Sequence, residues 1–126
     1  MAAYTQYWPR SAQAPHQPED TWQTALAAVA VEPQLSTTLE AMHRNKSVGL
    51  TTYGDVTVRI VSVEITGDSA TVVDCQDASR AGQADAATGD RKTVGVPRMP
   101  VHATLARDTS DGRWKVSQLD FSGSAC

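Results

Sequence analysis

Between Val56 and Cys75 the chain reads VTVRIVSVEITGDSATVVDC, an alternation of apolar and polar positions that changes phase once. The period of two marks two β-strands, and Thr66-Gly67-Asp68-Ser69 is the tight turn between them. Val56, Val58 and Ile60 share one parity, whereas Val61, Val63 and Ile65 share the other. A regular pleat points these two sets to opposite faces. Either both faces are covered or, the reading adopted here, a β-bulge near Ile60-Val61 resets the phase and bends the strand. Val101, Ala103 and Leu105 alternate in a third strand, and Asp108 to Arg113, with its Asp-Gly step, marks a second tight turn. Trp114 and Val116 open a fourth strand, in which Leu119 and Phe121 occupy the opposite parity, a second phase shift near Ser117-Gln118. Two bends in two long strands predict a strongly curved, four-stranded antiparallel sheet.

Ahead of the sheet the period lengthens. Tyr4, Tyr7 and Trp8 have the spacing of an aromatic helix face, but Pro9 follows at once, so the first helix is expected to be short or kinked and residues 9–18 to form a loop. Asp20 is a candidate N-cap for a helix over 21–31 that carries Trp22, Leu26 and Val29 on one side. A further helix is expected from Pro33 to about Asn45, with Leu35, Leu39 and Met42 as its stripe and His43 and Arg44 in its last turn. The expected organisation is a single domain over 1–126, with helical cover at 19–45, sheet at 50–121 and a tail at 122–126. Residues 76–99 form a long polar connection. The turn residues Ala87-Thr88-Gly89-Asp90 suggest a small ragged hairpin inside it, and connections of this length are usually functional or floppy.

Composition adds three constraints. Leu, Ile, Val and Phe make up under a fifth of the 126 residues, so the core is thin. A net charge of -3, with acids and bases interspersed, leaves no basic stripe for a phosphate backbone and disfavours nucleic acid as a partner. The two cysteines, Cys75 at a strand end and Cys126 as the last residue, are expected to form a disulfide that supports the thin core, the alternative being two free thiols. Cys126 is a poor hydrophobic filler. If the strands pair in sequence order, the second and fourth end on the same side, which brings the tail to Cys75. A bridge closing that loop contributes roughly 4 kcal/mol and implies an oxidising compartment. No apolar run reaches the length of a membrane span and no signal peptide leads the chain; Met1-Ala2-Ala3 ahead of Tyr4 reads as a start placed on a trimmed mature sequence.

Helices followed by a curved antiparallel sheet resemble the cone-shaped NTF2-like, or SnoaL-like, α+β fold. More specifically, the chain is similar to the mature part of small exported actinobacterial proteins, often lipoproteins, with that fold. The likeness rests on Tyr7-Trp8, on Gly67-Asp68-Ser69-Ala70-Thr71-Val72 before Asp74-Cys75-Gln76-Asp77, on Thr88-Gly89, on Asp111-Gly112-Arg113-Trp114-Lys115-Val116 and on the terminal Cys126. Pro9 and the proline-rich 15–18 stretch depart from it. The resemblance implies a secreted or cell-surface location and anchoring through an N-terminal lipid absent from this chain. It implies no established activity.

Relatives of this fold that are enzymes use carboxylates, His or Tyr inside the cone as general acid and base. The corresponding candidates for a pocket are Tyr4, Tyr7, Trp8, Trp22, Met42, Asp74 and His102. Each has a plainer explanation. The aromatic residues suit a core, Asp74 and Asp77 suit a strand end or an arginine partner such as Arg80 or Arg98, and His102 is out of phase with its inward neighbours. The histidines are too scattered for a metal set, and no phosphate loop or nucleophile elbow is present. The sequence therefore predicts no catalytic residue, metal or cofactor, and a non-enzymatic exported binding or interaction domain. Its partner would be an unidentified protein or a small apolar molecule. The alternatives are a ketosteroid-isomerase-like enzyme or ligand carrier using the cone pocket, and an accessory module of a cell-envelope, conjugation or phage-related assembly. The domain is expected as a monomer or homodimer.

Overall fold

The computed structural model describes residues 1–126 as an α+β domain. Helices α1 (Ala2–Gln13), α2 (Trp22–Ala27) and α3 (Gln34–Ser47) precede strands β1 (Leu50–Tyr53), β2 (Ile60–Thr66), β3 (Ser69–Gln76), β4 (Gly82–Asp85), β5 (Met99–Arg107) and β6 (Trp114–Asp120). Strands β2-β3-β5-β6 form the main antiparallel sheet in sequence order, and β1 pairs with β4 in a separate two-stranded sheet.

Both expected phase shifts are present. The β2–β3 register slips between Ile60 and Ser62, making Val61 the extra residue, and the ladder resumes at a bridge between Thr57 and Asp77. The β5–β6 register slips between Thr104 and Leu105, where Ser117 is the extra residue. The expected strong curvature does not follow, and the sheet is not strongly curled. Each bulge lies on an outer strand, while the central pair β3–β5 runs in unbroken register from Ser69–Ala106 to Gln76–Met99 and holds the middle straight.

Helix α1 differs from expectation. It continues through Pro9 to Gln13 and is followed by a 3₁₀ turn at Ala14–His16, so residues 9–18 are mostly helical rather than a loop. Pro9 has no N–H to donate and leaves one helical carbonyl without its usual partner, but burial of Tyr4 and Tyr7 holds the helix against the sheet. The helical cover thus begins at Ala2 rather than at residue 19. Helix α2 is shorter than expected: Glu19–Thr21 form a 3₁₀ turn, and Thr21, not Asp20, precedes its first residue.

The main core joins Tyr4, Tyr7, Val29 and Ala30 to the inward residues of the sheet, Ala70, Val72, Val101, Ala103, Leu105 and Val116. A smaller cluster joins Ala14, Trp22, Leu26 and Met42. Strand β2 is the open edge, and it carries no helical cover: Val61 and Ile65 are 67% and 57% exposed. Cys75 and Cys126 form a disulfide with a Cα–Cα distance of 5.8 Å, which returns the tail to the end of β3. On the way there the tail crosses the outer sheet face, with Gly123 against Pro100 and the His102 imidazole.

Candidate functional site

A cavity of about 420 Å³ opens between α1, α3 and the β1–β4 sheet. Tyr7, Trp8, Ala12 and Pro15 supply one wall, Met42 and Asn45 a second, and Thr52, Tyr53, Gln83 and Val94 the far side. This is the range of small-molecule sites. Helix α3 brings Met42 and Asn45 to the cavity from successive turns of one stripe, and α1 presents the adjacent Tyr7 and Trp8.

Three glycines make the far wall thin. A Cβ at Gly54 would overlap the Arg80 carbonyl, one at Gly82 the Thr93 carbonyl, and one at Gly95 the Ala78 carbonyl. Only hydrogen at these positions lets the backbone segments lie this close. The 76–99 connection is thereby folded into the wall. Its β4 pairs with β1, a bridge between Ala84 and Arg91 makes the small hairpin, and Gly95 N–H donates to the Ala81 carbonyl at 2.9 Å.

The expected pocket residues separate into four places. Tyr7, Trp8 and Met42 line the cavity. Trp22 does not; it lies in a neighbouring recess with His16 and Lys46, its indole donating to the Gln17 carbonyl at 2.9 Å. His102 is exposed on the outer sheet face, because its parity is opposite to that of Val101 and Ala103. Tyr4 and Asp74 are sealed beneath α1. The Tyr4 hydroxyl donates to Asp74 Oδ2 at 2.6 Å, and the Arg59 backbone N–H donates to Asp74 Oδ1 at 2.7 Å. Burial, then this bond to a carboxylate, raises the Tyr4 phenol far above its ordinary pKa. Asp74 therefore pairs with neither Arg80 nor Arg98. Asp77 accepts from the Ser79 hydroxyl at 2.6 Å and lies 3.3 Å from the Arg59 guanidinium.

Chemically, the cavity is quiet. None of its lining residues is Asp, Glu, His, Lys, Arg or Cys. Its two phenols are engaged, Tyr7 with the Thr38 hydroxyl at 2.9 Å and Tyr53 as donor to the Thr93 carbonyl at 2.8 Å. Burial also pushes the Tyr7 phenol up, which makes it a weaker acid at neutral pH. No group of three His, Cys, Asp or Glu side chains is gathered to hold a metal ion, and no helix is long and apolar enough to cross a membrane.

Sequence reasoning missed Ala12, Asn45, Thr52, Tyr53, Gln83 and Val94 as site residues. They are small, polar or isolated in sequence, and none belongs to a periodic stripe. The available signal was the set of glycines Gly54, Gly82 and Gly95 around an otherwise featureless connection.

No family model and no curated protein matches the chain. Among solved structures, it is similar to the crystal structure of the intermembrane space region of chloroplast protein ARC6. The TM-score is 0.65 at 16% identity, covering 98% of this chain and 93% of that one. At this identity the likeness establishes a shared fold.

Proposed function

We propose that this domain is a non-enzymatic binding module on an NTF2-like scaffold, working outside the cytoplasm, and that its cavity receives an uncharged, largely apolar small molecule. The observation that carries this reading is the absence of any ionisable acid, base or thiol nucleophile from the cavity lining, apart from two engaged phenols. General acid–base catalysis needs a group whose pKa lies near the working pH and within reach of the substrate. The one deeply buried carboxylate, Asp74, has both oxygens occupied by the protein and does not line the cavity. Helices first, then an antiparallel sheet paired in sequence order, support the scaffold assignment. The Cys75–Cys126 bridge supports an oxidising compartment, and with it the exported group that the sequence resembles.

The test is incubation of the disulfide-bonded protein with panels of small apolar compounds, followed by NMR of the compounds. Reversible binding without consumption is expected. Saturable turnover of any compound would overturn the reading.

A second reading is supported by β2. Every residue of Ile60–Thr66 is exposed, and the strand has a partner on one side only. An extended segment of an envelope protein could add to this edge through backbone hydrogen bonds. Proline at position 63 would then abolish co-purification with envelope fractions; retention of the same partners by Val63→Pro would exclude the edge as the contact.

A further inference from the structure

Nearly every polar group around the cavity is already used by the protein. Thr52 Oγ1 donates to the Ala12 carbonyl at 3.4 Å, Ser11 Oγ to the Trp8 carbonyl at 3.1 Å, and Thr93 Oγ1 accepts the Gln83 backbone N–H at 2.8 Å. The exceptions are the Trp8 indole N–H, which is buried without a partner, and a pair of primary amides. Gln83 Nε2 donates to Asn45 Oδ1 at 3.2 Å, and this single bond uses one half of each amide. The other halves, Asn45 Nδ2 and Gln83 Oε1, have no partner within the protein, and neither atom is buried. The last turn of α3 holds the first, and the β1–β4 ladder, in which Gln83 is opposite Thr52, holds the second.

A donor and an acceptor, both uncharged, thus stand at the edge of an apolar chamber. While water reaches them they are satisfied. A ligand that covers them must replace both bonds, because a polar group stranded by binding loses more than a formed bond returns. A ketone or ether supplies an acceptor alone. A carboxylate supplies no donor and brings a charge for which the lining holds no counter-ion. A carboxamide carries one acceptor and at least one donor on a single rigid plane.

Building on the binding reading above, we propose that the cavity is specific for uncharged small molecules with an aromatic or aliphatic body and a carboxamide or lactam group. The ligand carbonyl accepts from Asn45 Nδ2, its N–H donates to Gln83 Oε1, and its body lies among Tyr7, Trp8 and Met42.

Three probes with one body test this: 2-naphthamide, methyl 2-naphthyl ketone and 2-naphthoate, each titrated into the disulfide-bonded protein and followed by tryptophan fluorescence. The amide is expected to bind about ten-fold tighter than the ketone, as one further satisfied hydrogen bond implies. The naphthoate is expected to bind at least about a hundred-fold more weakly than the amide, because its charge is desolvated without a partner. In Gln83→Ala the advantage of the amide is expected to vanish, because the acceptor that only the amide satisfies is gone. In Asn45→Ala amide and ketone are both expected to weaken, because both lose the donor to their carbonyl. The wild-type comparison stands whether or not either variant folds. Equal affinity for amide and ketone overturns the amide specificity and leaves the cavity as a binding site. An amide preference that survives in folded Gln83→Ala overturns the assignment to this pair. Naphthoate binding as tightly as the amide overturns the requirement for an uncharged ligand. No saturable binding of any uncharged probe overturns the binding reading itself.

Discussion

Tyr4 and Asp74 show how one buried contact can be mistaken for chemistry. A carboxylate removed from water is costly unless hydrogen bonds replace its hydration, and here a phenol and a backbone N–H do so. The pair ties α1 to β3 across most of the chain's length. Tyr4→Phe keeps the ring in the core but strands Asp74 Oδ2, and is expected to destabilise the fold by about 1–3 kcal/mol in urea unfolding. A change below about 0.5 kcal/mol would show that the bond is not a tie. The position of Asp74 was legible as far as parity went: it shares a face with Ala70 and Val72. Its partner was not. Tyr4 reads as one more aromatic on an apolar stripe, and nothing local tells which hydroxyl will meet a carboxylate far along the chain.

At the scale of elements, apolar periodicity made β3, β5, β6 and the stripe of α3 readable, because packing against one core rewards a strict period; β2 and its bulge showed through the same alternation although every residue of the strand is exposed. The β1–β4 sheet escaped notice for the opposite reason. Leu50-Thr-Thr-Tyr and Gly82-Gln-Ala-Asp have no alternation, and their pairing depends on glycine-permitted approaches rather than on burial. Pro9 misled because tertiary burial of α1 outweighed a local preference.

The β5–β6 hairpin has a separate electrostatic lock. The nearly buried Lys115 ammonium lies 2.6 Å from Asp108 Oδ2 and 3.0 Å from Asp111 Oδ2. Its hydrogen bond to Asp108, with the Ser110 contacts, holds that carboxyl down to about 2 from an ordinary 3.8. A depressed folded-state pKa stabilises fully above the unfolded value and is lost as pH falls through the folded one. Lys115 is raised, chiefly by the same Asp108 bond, so its own contribution is present below its ordinary value of 10.5 and fades as pH rises beyond it. Opening of the hairpin, read as hydrogen exchange at its amides after correction for intrinsic rates, is expected to increase between about pH 4 and pH 2. Unchanged opening across that window would contradict the lock.

The whole molecule combines a thin core, a covalent tie and an open apolar cavity among several surface recesses. The disulfide closes a separation of 51 residues, which by loop-closure entropy stabilises by about 4 kcal/mol. Cys126→Ser is expected to lower the urea midpoint accordingly without changing the native spectrum; an unchanged midpoint would make the bridge a bystander. The order of helices followed by a four-stranded antiparallel sheet was readable because its signals are periodic. The cavity was not, since alanines, threonines, glycines and two amides from five elements acquire a common purpose only when folded together. Binding of an uncharged apolar molecule in this cavity, without reaction, is read by titrating the neutral probe N-phenyl-1-naphthylamine into wild type and into Ala12→Phe, which places a ring in the cavity. Saturable one-to-one binding, with energy transfer from the lining Trp8, is the predicted result for wild type, and its loss that for Ala12→Phe. Wild-type protein that never saturates, or equal binding by the filled variant, would contradict the account.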